Sequence, residues 1–143
     1  MTYCGRPGAS ACIRGDGGIR GTVKFSLFAS GILVEADIQG LPASESGFFA
    51  LHIHEGKDCC GEGFLNTGGH YNPCSVEHPR HAGDLPPLLS CNGRAYLAVL
   101  TNRFRISDII GRTVVIHSHS DDFQTQPAGN AGSKIACGVI CRE

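Results

Sequence analysis

The sequence predicts an all-β chain with Greek-key or meander connections. Three observations carry this reading. Nearly every apolar segment is short and bounded by Gly, Pro, Asn or Asp. No 3.6-residue period survives beyond a turn or two. The 20 Gly and seven Pro, with no Trp, favour many turns over long helices. Taken in order, Ser10–Arg14 reads as a first strand, closed by the Gly-Asp-Gly-Gly turn at residues 15–18. Ile19–Phe28 alternates, with Val23, Phe25 and Leu27 set against Thr22, Lys24 and Ser26. Ala29-Ser30-Gly31 supplies a hairpin turn into Ile32–Gln39, where Val34, Ala36 and Ile38 oppose Leu33, Glu35 and Asp37. Phe48–His54, Arg94–Thr101 and Arg112–His117 follow as strands four to six, and Ile135–Ile140 closes the chain.

Two stretches do not read as strands: Glu55–Leu89, rich in Gly, Pro, His and Cys, and Ser118–Ser133. Long irregular loops in a compact domain are uncommon and usually functional. The 143 residues fit one domain, 1–143, with no internal repeat or linker. Apolar residues at 41% allow a real core. No apolar run approaches the ~20 residues of a membrane helix, and a formal charge of -1 gives no electrostatic reason for nucleic-acid binding.

The histidines carry the chemistry. His52-Ile53-His54 ends an apolar strand, and alternate strand residues share a face ~6.5 Å apart, so both imidazoles can reach one ion. His70 follows Gly68-Gly69, with His78, His81 and Asp84 close behind. Three nitrogens and one carboxylate oxygen make a shell of the kind that a closed tetrahedral Zn²⁺ site uses. His117 ends the strand Thr113-Val-Val-Ile, while His119 sits in polar sequence and reads as a surface group or a neighbour of the ligands. Asp121-Asp122 either caps a turn or turns one carboxylate onto the far nitrogen of a metal-bound imidazole.

These blocks together resemble the copper/zinc superoxide dismutase family. They are His52-Ile-His54, Gly69-His70-Tyr-Asn-Pro73, His81-Ala-Gly-Asp84-Leu, Gly111-Arg-Thr-Val-Val-Ile-His117, Asp121-Asp122-Phe and Gly129-Asn-Ala-Gly-Ser-Lys134-Ile-Ala-Cys137-Gly-Val-Ile140. The resemblance implies an eight-stranded Greek-key β-barrel with two long functional loops. It implies copper on His52, His54, His70 and His117, and zinc on His70, His78, His81 and Asp84, with His70 shared. Zinc is redox-inert and imidazole suits copper, so the all-histidine set is the redox site. The resemblance makes Asp121 the carboxylate linking a copper histidine to a zinc histidine, and pairs Cys59 or Cys60 with Cys137 in a disulfide. It also makes His70 and Lys134 catalytic: His70 through a nitrogen that takes up a proton for peroxide, Lys134 through its charge.

The chain departs from the family where Lys134 stands in place of the usual arginine, keeping the charge but losing the planar fork. Eight cysteines exceed the usual pair. Cys4 and Cys141 are candidates to pair across the chain ends, and Cys12, Cys74 and Cys91 have no assignment from spacing. The implied activity is conversion of superoxide to oxygen and hydrogen peroxide. A protein that stores or delivers copper with little turnover, and a zinc-only structural domain, are the alternatives. The implied partner is a small anion, with no nucleic acid or membrane, in a monomer or homodimer. Met1 without a basic-then-apolar signal reads as cytoplasmic, the alternative being an extracytoplasmic protein whose signal has been removed.

Overall fold

The computed structural model describes residues 7–143, and Cys4, one half of the suggested Cys4–Cys141 pair, lies outside them. All strand pairings are antiparallel. The strands are β1 (Ala9–Gly15), β2 (Arg20–Phe28), β3 (Gly31–Gln39), β4 (Phe48–Phe49), β5 (Leu51–His54), β6 (Leu88–Leu89), β7 (Ala95–Thr101), β8 (Thr113–His117) and β9 (Lys134–Arg142). Seven form one curled sheet in the order β5-β8-β9-β1-β2-β3-β7, and β4 pairs with β6. β1 to β3 run as a meander, whereas β8 returns from the far edge to lie between β5 and β9. These are Greek-key crossings, and the β-barrel class expected from the resemblance holds.

One face of each long strand feeds the core. In β3, Ile32, Val34, Ala36 and Ile38 are buried while their neighbours are partly open, as the sequence predicts. Phe25, Ile13, Ile140, Ile116 and Leu51 are fully buried with them, each worth about 1.5–3 kcal/mol of transfer free energy. The alternation expected for Ile19–Phe28 stops at Phe25: Ser26 is buried and Leu27 faces solvent at 72% exposure.

Three other expectations change. The single strand Phe48–His54 is split at Ala50, whose N–H donates to His119 C=O and whose C=O accepts from His117 N–H. Those bonds turn the chain so that β4 and β5 join different sheets. Leu88–Leu89, read as the end of a loop, pairs with Phe48–Phe49 and supplies the strand absent from the sequence reading. With β4 and β5 counted as halves of one strand, eight strands result. The short helix α1 (Ile106–Ile109) and a 3-10 segment at Glu62–Thr67 occupy stretches with no readable period.

The first long loop is pinned to the edge strand β5. Ile53 exchanges backbone bonds with Gly83 and Tyr71, Glu55 N–H donates to Gly69 C=O, and Gly56 N–H donates to Thr67 C=O. Isolated bridges join His52 to Asp84 and His54 to His70. The loop thus covers an edge that would otherwise be open. It also lays its histidines beside those of β5. Cys59 bonds Cys137 of β9, closing the choice left open between Cys59 and Cys60. Cys12, Cys60, Cys74, Cys91 and Cys141 are exposed thiols.

Candidate metal centre

Six histidines and two aspartates meet between β5, the end of β8 and the two long loops. His52, His54, His70 and His117 can each bring one ring nitrogen within 4.8 Å of the others, and so can the donors of His70, His78, His81 and Asp84. His70 belongs to both groups. All six rings are buried, at 8% exposure or less. His119 lies outside: it is exposed, with Nδ1 2.8 Å from Ser118 Oγ.

The proton positions follow from the partners. An ionised carboxylate only accepts, so His52 Nε2–H and His78 Nε2–H donate to Asp121 Oδ2 and Oδ1, at 2.8 and 2.7 Å. Their Nδ1 atoms are left as lone pairs, and both are buried without a hydrogen-bond partner. His78 Nδ1 is 3.0 Å from Asp84 Oδ2 but not in hydrogen-bonding geometry, as expected of two donors aimed at a common centre. His54 Nδ1–H donates to Gly68 C=O at 2.8 Å, turning its Nε2 lone pair toward His117 Nε2, 3.2 Å away. His70 Nδ1 stands 2.8 Å from Asp84 Oδ1 and 3.3 Å from His81 Nδ1, while its Nε2 is buried and orphaned. Its ring centroid lies 4.0 Å from that of His52 and 5.3 Å from that of His81. One ring therefore faces an all-nitrogen set with one edge and a nitrogen-and-oxygen set with the other.

Burial sets the charge of these groups. It pushes His54 down to about 2 and His117 to about 3, the neighbouring rings adding to the effect on His117. The His54 and His117 rings are thus neutral at pH 7. Burial opposes the charge on Asp121, but hydrogen bonds from His52 and His78 and from Phe123 N–H hold it well below the usual carboxylate range. His52, His78 and Asp121 also lie close enough to share an ion. Both carboxylate oxygens, however, already accept ring protons, so Asp121 ties the two clusters together. Asp122 takes the other role foreseen for the pair and caps a turn, accepting from Gln124 N–H and Thr125 N–H, both at 2.8 Å.

Lys134 lies beside the all-histidine group, sharing the Gly68 carbonyl with His54. Its Nζ donates to Thr67 Oγ1 at 2.7 Å and Gly68 C=O at 2.9 Å, and burial lowers its pKa. Two of its three protons are used. The sequence reading overlooks Thr67, Gly68, Gly129 and Gln126. Gly129 has a positive φ of 70°, and a Cβ there would stand 2.0 Å from Asp121 Oδ1 and 2.6 Å from His78 Nε2, so the Asp121 bridge requires a glycine. Its presence in the quoted Gly129-Asn-Ala-Gly block was the one available signal. A glutamine in a polar loop gives none.

Residues 19–140 match the family model described as copper/zinc superoxide dismutase. The chain is 39% identical over 136 residues to an extracellular Cu-Zn superoxide dismutase of Caenorhabditis elegans, covering 84% of this chain and 60% of that protein. It is 35% identical over 128 residues to a Cu-Zn superoxide dismutase of Legionella pneumophila, covering 84% and 76%. It is also 32% identical over 152 residues to the copper chaperone for superoxide dismutase of Rattus norvegicus, covering 94% of this chain and 53% of the chaperone. The family implies copper and zinc. The buried lone pairs fit both: four imidazoles suit copper, and three imidazoles with a carboxylate suit zinc.

Proposed function

Because the chain belongs to the copper/zinc superoxide dismutase family, we propose that it converts superoxide to oxygen and hydrogen peroxide. The observation that supports this most is the shared ring of His70, orphaned at Nε2 and directed at Asp84 and His81 through Nδ1. In this reading His52, His54, His70 and His117 hold copper, and His70, His78, His81 and Asp84 hold zinc. Copper supplies one-electron exchange with superoxide, and zinc supplies charge and orientation.

The chain's own groups do the rest. Asp121 keeps a proton on Nε2 of His52 and of His78, so that Nδ1 of each presents a lone pair. Gly68 C=O does the same for His54 from the opposite nitrogen. In this reading His70 Nε2, buried without a hydrogen-bond partner, carries a proton toward product. Lys134 Nζ offers its remaining N–H and its charge to a small anion.

The test is metal content and activity together. Reconstituted protein is expected to hold one copper and one zinc per chain and to dismutate superoxide, and His117→Ala to lose that activity. Copper-replete His117→Ala with full activity would falsify the assignment. The similarity to the rat chaperone supports a second reading, copper delivery. Under that reading the loaded protein passes copper to an apo acceptor and shows little turnover of its own.

A further inference from the structure

One side chain of the second loop reaches the zinc-side cluster through main-chain atoms alone. Gln126 Oε1 accepts from His78 N–H at 2.8 Å, and Gln126 Nε2–H donates to His78 C=O at 2.7 Å. The carboxamide thus pairs with His78 as a neighbouring strand would, using both main-chain polar atoms of one residue. Its second amide proton goes to Gln124 C=O at 3.2 Å. The same loop also grips the other end of His78, where Asp121 Oδ1 accepts from Nε2–H. Backbone and ring tip are both fixed, and Nδ1 between them is buried without a hydrogen-bond partner. The start of the loop is tied to the sheet through Ala50 N–H and His119 C=O. The carboxamide adds a second side-chain anchor on the zinc side beside Asp121, supporting the span of Asp121 between His52 and His78.

We propose that Gln126 is a positioning residue for the zinc-side centre, setting where His78 Nδ1 stands and docking the second loop so that Asp121 joins both clusters. The inference rests on the zinc assignment made above. Gln126 touches neither ion nor substrate and acts only through His78.

The experiment titrates the metal-free full chain with Co²⁺, read by its visible absorption, and measures Zn²⁺ affinity by competition with a chromophoric chelator. Gln126→Ala is expected to weaken both metals by about ten-fold or more and to shift the cobalt bands. Gln126→Glu keeps the shape and the acceptor but sets an oxygen against His78 C=O, and is expected to behave like the alanine variant. Its near-identical size preserves the readout should Gln126→Ala fail to fold. Gln124→Ala, whose side chain makes none of these bonds, is expected to match the parent. Parent-like affinity and spectrum in both Gln126 variants, with only the melting temperature lowered, overturns the proposal in favour of a purely structural loop contact. A parent chain that binds neither Co²⁺ nor Zn²⁺ overturns the zinc assignment itself, a result distinct from the first.

Discussion

Asp121 shows how much a single carboxylate can settle. With one oxygen on each of two Nε2–H groups, it decides the tautomer of His52 and of His78 together. Asp121→Asn turns one acceptor into a donor, so one ring must give up its Nδ1 lone pair. We expect a loss of about 10–100-fold in affinity for at least one metal by calorimetric titration, with the fold intact by circular dichroism. The buried rings also make the metal-free chain acid-sensitive. His54 and His117 have folded values of about 2 and about 3, below the ordinary 6.5, so the unfolded chain binds more protons at intermediate pH. Their stabilising effect is complete above about pH 6.5 and is lost as pH falls toward 3. The depressed Asp84 and Asp121 withdraw theirs in the same direction, only below about pH 4. The thermal midpoint of metal-free protein should therefore fall steadily from pH 7 to pH 4, and a flat profile would contradict the burial argument. At this scale the clustered histidines and aspartates were legible, because metal chemistry demands particular side chains at short spacings. Gln126 and Gly68 were not, since they act through carbonyls and amides that every residue type shares.

Among the elements, the strands with a long alternating face were readable and the two-residue ones were not. Phe48–Phe49 and Leu88–Leu89 are too short to show a period, and the break at Ala50 is made by backbone bonds to His117 and His119, far away in sequence. Connectivity between the first loop and β9 was likewise hidden in the adjacent pair Cys59-Cys60. The bridge joins residues 78 apart, and constraining a loop of that length stabilises by about 4.5 kcal/mol in the chain-entropy account. Cys59→Ser should therefore lower the urea midpoint markedly. Cys60→Ser, at an exposed thiol that the carboxylate of Asp58 holds above its usual pKa, should leave that midpoint at the parent value. Arg103 anchors the same loop elsewhere, its Nη1–H donating to Pro79 C=O and His81 C=O at 2.8 and 3.1 Å. Arg103→Ala is expected to cost about 1 kcal/mol on urea denaturation, the exposed setting keeping the loss small.

For the molecule as a whole, a formal charge of -1 provides no overall attraction for an anion, so any steering must be local. Residues 118–133 contain Asp121 and Asp122 and no lysine or arginine, leaving Lys134 as the cation where that loop rejoins the sheet. Under the proposed activity, Lys134→Gln should slow dismutation and flatten its dependence on ionic strength, while Lys134→Arg should retain both, as stopped-flow measurements across a salt series would report. The barrel class was legible because alternation and turn residues recur along the chain, whereas the folding of the first loop onto the edge of β5 depends on contacts that no local pattern records. Gly68 lies where these arrangements converge. Its backbone, at φ 65° and ψ -149°, occupies a region open essentially to glycine, and its single carbonyl receives both His54 Nδ1–H and Lys134 Nζ–H. The Lys134 ammonium and the His54 ring are thus hung from one peg. Whatever displaces that oxygen must move both side chains in the same stroke, and under the proposed function that disturbs substrate capture and metal binding together.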